Sequence, residues 1–175
     1  FFVPLNEYNH RVLREEEREP QLNAMTTASN GDTFRICSLN INGWKSAQDK
    51  GLLQQLQDMP GGTPDVLFLQ ETKVAQIDEV LLAKSLKTIG YEHVTLVASE
   101  NHRFGGVLTA SKTPFTLLGN SPAEKGRAMA VRVEGVTAIN LYAPIVWNRD
   151  QRFLDRREAF DDAASAWIRE LPEPH

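Results

Sequence analysis

Four consecutive apolar residues, Val66-Leu67-Phe68-Leu69, lie between the turn-forming Pro60-Gly61-Gly62-Thr63-Pro64 and the polar Gln70-Glu71-Thr72-Lys73. A strand points alternate side chains to opposite faces, so an unbroken apolar run predicts a strand covered on both sides. Such a strand needs an apolar layer above it and another below it. The same pattern puts Glu71 where a buried strand emerges. A carboxylate there is costly to desolvate unless it is paired or bound to a metal.

The flanking segments can supply those layers. Phe34–Ile41 has strand character and is ended by Gly43. Leu52, Leu53, Leu56 and Met59 recur at helical spacing and predict a helix over Gln48–Met59, opened by Ser46 as N-cap. Ile77, Leu81, Leu82, Leu86 and Ile89 predict a second helix closed by Gly90. Strands are then predicted at His93–Ala98, Gly106–Ser111, Phe115–Leu118, Ala128–Val133 and Thr137–Tyr142, separated by turn residues. A last helix presents Phe153, Phe160, Ala164, Trp167, Ile168 and Leu171 on one face, and Pro172 and Pro174 stop it. This order suits an α/β fold in which two sheets pack together with helices outside.

Residues 1–32 read as a tail, and 33–175 as the folded unit. The run Arg14-Glu15-Glu16-Glu17-Arg18-Glu19-Pro20 and the small polar Thr26–Asp32 bury too little apolar surface to offset the entropy of ordering. A short charged helix over Arg11–Glu19 is the alternative. Residues 1–33 hold six acidic side chains against three basic ones, so most of the net charge of -4 resides there. The remainder is close to neutral, which leaves room for a local basic face without showing one. No apolar run approaches the roughly 18 residues of a membrane span. Phe1-Phe2-Val3-Pro4-Leu5 is too short for a signal peptide, so an intracellular location is expected. The single cysteine, Cys37, rules out an intramolecular disulfide and reads as a small buried hydrophobe.

Three strand ends carry the candidate chemistry. Asn40 and Asn42 are two residues apart and point to one side of a strand, where carboxamides can hold a phosphate oxygen or fix a carboxylate. Asn42-Gly43 is equally an ordinary turn pair. Glu71 offers the single carboxylate that Mg²⁺ commonly takes together with waters and substrate oxygens. Its other reading is a solvated partner of Lys73. Tyr142 ends Ile139-Asn140-Leu141-Tyr142, where a phenol can bond a phosphate oxygen or serve as an ordinary strand residue. Lys73 and Lys112 are either phosphate contacts or solvated, and His102 with Arg103 reads as an exposed loop.

Ser38-Leu39-Asn40-Ile41-Asn42-Gly43 followed by Asp65-Val66-Leu67-Phe68-Leu69-Gln70-Glu71-Thr72-Lys73 resembles the endonuclease/exonuclease/phosphatase family. Within it, the chain is most similar to apurinic/apyrimidinic endonucleases and LINE-type retrotransposon endonuclease domains. The likeness continues through Gly105-Gly106-Val107-Leu108, Gly126-Arg127 and Asn140-Leu141-Tyr142-Ala143-Pro144, covering Phe34–Leu171. It implies a four-layer α/β sandwich of the DNase I type, incomplete at the C-terminus, that hydrolyses phosphodiesters with a metal-activated water. By position, Glu71 would ligate Mg²⁺ (or Mn²⁺), Asn40 would orient catalytic groups or phosphate, and Tyr142 would contact the scissile phosphate. Asn42 and Lys73 would touch substrate, and DNA would be the partner.

Two family motifs, Gly-Asp-x-Asn and a late Ser-Asp-His, do not occur in this sequence. The expectation is therefore a domain cut off before its catalytic set is complete. A non-catalytic remnant of a mobile element or a pseudo-enzyme is the alternative, and a lipid or inositol phosphate phosphatase is the second. Sandwiches of this type run to about 200–250 residues. A half-covered core and an open sheet edge should leave the isolated chain unstable or aggregation-prone. A cooperative, monomeric unfolding transition would overturn that expectation. Repair enzymes of the family carry Asn soon after Tyr-x-Pro, whereas Ile145-Val146-Trp147 stands here. This tilts the resemblance towards a transposon-type nicking enzyme, with a reverse transcriptase as a candidate downstream fusion. A repair or transposon role would make the location nuclear. Nothing in the sequence asks for a membrane or an obligate protein partner.

Overall fold

The computed structural model describes residues 22–29, 32–120, 124–148 and 150–172. In chain order the elements are β1 (Leu22–Ser29), β2 (Asp32–Asn40), α1 (Trp44–Asp49), α2 (Leu52–Gln57) and β3 (Val66–Gln70). Next come a 3-10 turn (Gln76–Asp78), α3 (Glu79–Lys87), β4 (His93–Val97) and β5 (Val107–Ser111). The last are β6 (Phe115–Asn120), β7 (Ala128–Val133), β8 (Val136–Leu141) and α4 (Gln151–Glu170).

All five residues of β3 are buried, and their alternation divides the core in two. Leu67 and Leu69 join Leu39, Trp44, Leu56, Leu82, Leu86 and Tyr91 in a layer beneath α1, α2 and α3. Val66 and Phe68 join Val107, Met129, Val131 and Val133 in the layer between the sheets. The first sheet runs β1-β2-β3-β5-β4, with β2 and β3 parallel and every other pair antiparallel. The second is the antiparallel meander β6-β7-β8. Its outer side is covered by α4, whose Phe160 and Ala164 are buried. Trp167 of α4 approaches Gly119 of β6. Helices, sheet, sheet and helix make the four layers expected. Among the described residues, no helix is long and apolar enough to cross a membrane.

Several local expectations need correction. Leu22–Ser29, read as part of the tail, pairs with β2 in a register that sets Ser29 opposite Asp32. A ladder needs backbone partners more than buried apolar area. The tail reading of residues 1–21 and the alternative helix over Arg11–Glu19 lie outside the described residues. The predicted helix Gln48–Met59 is instead two short ones, because Gly51 adopts a left-handed conformation between them (φ 80°). Gly43, not Ser46, caps the first. In the next helical segment Ile77 and Leu81 are exposed, and Leu82, Leu86 and Ile89 alone turn inward. Ile168 of α4 is likewise exposed.

Candidate functional site

The parallel register of β2 and β3 pairs Asn40 with Gln70, so both strands end level with each other. Beyond that line the backbone leaves the strand conformation. Asn42, Glu71 and Lys73 all have left-handed φ values, of 48°, 54° and 52°. For residues other than glycine this is uncommon and needs support from the surroundings. Support comes from a mesh of main-chain bonds. Gly43 donates to the Glu71 carbonyl (2.7 Å), Trp44 to Thr72 (2.8 Å) and Lys73 to Gly105 (3.0 Å). Strand alternation would turn Glu71 away from Gln70. Its left-handed φ breaks the alternation, and the carboxylate meets the Asn40 side chain.

Asn40 Nδ2 donates to Glu71 Oε1 at 2.7 Å, while Lys73 Nζ stands 3.2 Å from Glu71 Oε2. The Asn40 carboxamide oxygen accepts from the Asn42 amide at 3.1 Å, and Lys73 also donates to the Asn42 side-chain oxygen. Burial raises the Glu71 pKa. Hydrogen bonds from Asn40, Tyr142 and Lys73, together with the Lys73 charge, outweigh that effect and hold the carboxyl below its ordinary range. Tyr142 reaches the group from the end of β8. Its hydroxyl pKa is pushed up to about 12, first by burial and then by the neighbouring Glu71 carboxylate, with Arg127 opposing. All five residues singled out in the sequence (Asn40, Asn42, Glu71, Lys73 and Tyr142) therefore gather in one hydrogen-bonded group.

Lys112 does not join them. It lies at the opposite end of β3, where it bonds Asp65 Oδ1 (3.1 Å) and the Thr63 carbonyl. His102 and Arg103 are exposed in the loop before Gly105.

Other residues about the site carry no role in the sequence reading. The Arg127 guanidinium lies 4.5 Å over the Tyr142 ring, close enough for cation–π attraction. Its Nε bonds Glu124 at 3.1 Å, and Glu124 is gripped from α4 by Arg156 at 2.6 and 2.7 Å. The Tyr142 amide donates to the Arg127 carbonyl at 2.7 Å. Beneath the site, Gln70 and Asn140 bond each other across the sheets at 2.8 Å. A polar residue inside an apolar strand was the available signal for both carboxamides. Arg127 had none beyond its place after Gly126.

The donors near Glu71 are oxygens, namely one carboxylate and the carboxamides of Asn40 and Asn42. That set suits Mg²⁺ or Mn²⁺, which bind hard oxygen through one or two carboxylates and complete their shell with water and phosphate. It does not suit a closed, all-protein metal cage. Among the described residues, no group of three or more His, Cys, Asp or Glu side chains could hold a metal. The Lys73 ammonium pairs with the same carboxylate at 3.2 Å.

The family model described as Endonuclease/Exonuclease/phosphatase family matches residues 37–174. A 3′ phosphatase from Neisseria, bound to a product DNA hairpin, is similar at 25% identity, covering 77% of this chain and 51% of that one, with a TM-score of 0.65. A 3′-5′ exonuclease from Neisseria meningitidis shows the same identity and coverage with a TM-score of 0.63. An AP endonuclease from Archaeoglobus fulgidus is similar at 25% identity over 75% of this chain and 51% of its own, with a TM-score of 0.55. The chain thus spans about half the length of these solved structures. No curated protein matches it.

Proposed function

Because this chain belongs to the endonuclease/exonuclease/phosphatase family, we propose that it carries the metal-binding side of a site that hydrolyses phosphodiesters in DNA. One observation carries the reading. Asn40, Glu71 and Tyr142, from three different strand ends, meet in a single hydrogen-bonded group whose carboxylate is kept ionised.

In this reading Glu71 holds Mg²⁺ (or Mn²⁺) through an oxygen of its carboxylate. Asn40 fixes that carboxylate by bonding Oε1 and leaves its neighbour Asn42 facing substrate. The Tyr142 hydroxyl stays protonated at neutral pH and can donate to a phosphate oxygen as it now does to Glu71. Lys73 screens the charge that gathers when a phosphate approaches. The metal, when bound, supplies Lewis-acid stabilisation of the phosphate and leaving oxygen.

DNA is favoured as substrate by the likeness to a Neisseria 3′ phosphatase bound to DNA and to an AP endonuclease. Within that class the proposal is strand nicking, of the apurinic/apyrimidinic or the retrotransposon type. Ile145-Val146-Trp147 after Tyr142-Ala143-Pro144, where repair enzymes of the family carry Asn, favours the retrotransposon type. An intracellular and nuclear location belongs to the same proposal. A second reading, a non-catalytic remnant, draws on the single carboxylate about which the site is built.

Supercoiled plasmid and a duplex with one abasic site, each incubated with the protein and Mg²⁺, test the proposal. Nicking that a chelator abolishes is expected, and cleavage confined to the abasic duplex would mark a repair specificity. Turnover of an inositol phosphate with DNA left intact would replace the DNA reading. Inertness towards all three substrates would put the remnant first.

A further inference from the structure

The layer between the two sheets is mostly apolar, with the small hydroxyls of Thr109 and Ser111 buried beside Phe68 and Val66. Val66, Phe68, Val107, Met129, Val131, Val133 and Ala138 fill most of it. Apolar faces attract without direction, so they do not by themselves fix how one sheet is placed along the other. At the end under the site the layer holds two carboxamides. Gln70 is 6% exposed and Asn140 only 1%. Gln70 Nε2 donates to Asn140 Oδ1 at 2.8 Å and to Ser38 Oγ at 3.1 Å. Asn140 Nδ2 donates to the Leu108 carbonyl at 2.8 Å and to the Leu69 carbonyl at 3.3 Å. One side chain of β8 is thereby tied to β3 twice and to β5 once.

These two carboxamides adjoin the site from below. Gln70 directly precedes Glu71, and Asn140 stands two residues before Tyr142. Glu71 belongs to the first sheet and Tyr142 to the second, and the bond between them has no covalent frame shorter than the whole intervening chain. We propose that Gln70 and Asn140 are positioning residues: their buried amide pair sets the placement of Tyr142 relative to Glu71, and so the geometry of the site across the two sheets. The alternative is a polar contact that merely stabilises the core. That is the weaker account, because an apolar pair of similar size would serve stability as well, while buried amides must satisfy every donor to be tolerated. The bonds also lie at the site end of the layer, where placement matters for Glu71 and Tyr142. The inference rests on Glu71 and Tyr142 forming one site, but not on that site cleaving DNA.

The test reads placement separately from stability. In the full chain with ring-labelled tyrosine, the Tyr142 resonance is expected to move when Glu71→Gln is introduced, because the two side chains touch. In a Gln70→Met/Asn140→Leu background, which removes both partners together, the same Glu71→Gln change should lose most of that effect while the amide spectrum stays dispersed. Asn140→Thr offers a milder version, since its single hydroxyl cannot reach two carbonyls, and it serves if the double variant does not fold. Ser38→Ala removes only one of the acceptors of Gln70 and should leave the response intact. A response of parental size in either folded Asn140 variant overturns the proposal. Loss of the response in the Asn140 variants, with no plasmid nicking by the parent chain, would count against the proposed function alone.

Discussion

Replacing Glu71 with alanine is expected to lower Mg²⁺-dependent nicking by about 10²-fold or more, the loss typical of removing a group that stabilises transition-state charge. The change removes the sole carboxylate of the hydrogen-bonded group and also releases its donors, Asn40 and Lys73. Glu71→Gln separates the two effects, because it keeps the shape and an acceptor oxygen but not the charge. Comparable losses in both variants would assign the effect to charge, as cation binding requires. A Glu71→Ala protein that nicks as fast as the parent would remove Glu71 from the metal role. The pH dependence has a definite sign. Glu71 is held below its ordinary pKa in the folded chain, so its ionisation favours the fold above the unfolded value. That contribution is lost as the pH falls through the folded value, and cation binding at Glu71 should weaken over the same fall.

The second large effect is structural. Gly126→Ala is expected to destabilise the fold by about 3 kcal/mol or more, combining a left-handed backbone penalty with overpacking. Gly126 has φ 78°, and a Cβ there would sit 2.6 Å from the Ser99 nitrogen and 2.7 Å from its Cα. These are backbone atoms, which cannot swing aside as a long side chain can. The Gly126 carbonyl also accepts the Gly106 amide at 3.0 Å, so a shift here travels to the loop that holds Lys73. Gly135→Ala is the matched control. It shares a positive φ of 75° but faces open space, so only the backbone penalty of about 1–2 kcal/mol applies. Urea unfolding of the two variants reads the difference, and equal midpoints would show that the close approach at Ser99 is not felt.

The double-faced strand was legible in the sequence because four adjacent apolar residues between two polar turns fit little but a strand covered on both sides. The ends of three strands were legible too, which is why Asn40, Glu71 and Tyr142 stood out before any contact was known. Their meeting was not. It depends on the Asn40–Gln70 register and on the approach of β8, and these are tertiary facts that no local pattern encodes. Gln70 and Asn140 drew no role, because a carboxamide at a strand end has no local mark of the partner it meets across the sheets. Leu22–Ser29 was missed because Thr26–Ser29 is small and polar, and its place in the sheet is a matter of backbone pairing with β2. Ile77 falls in the 3-10 turn at Gln76–Asp78 ahead of α3, and Leu81 is one position off the inward face that Leu82 and Leu86 define.

The three left-handed residues at the site also bear on how the domain can drift. Each such conformation costs about 1–3 kcal/mol, in domains whose whole margin of stability is commonly about 5–15 kcal/mol. Asn42, Glu71 and Lys73 together therefore consume a sizeable part of that margin at the place where rigidity is most needed. Substitutions elsewhere that deepen the core would widen tolerance for change at the site. A glycine at Asn42 or Lys73 would ease the local tension but free the backbone that aims the carboxylate. Evolution or engineering of this fold is thus expected to add sturdiness at the helices and sheet faces, and to leave the uncomfortable turn beyond β3 as it is.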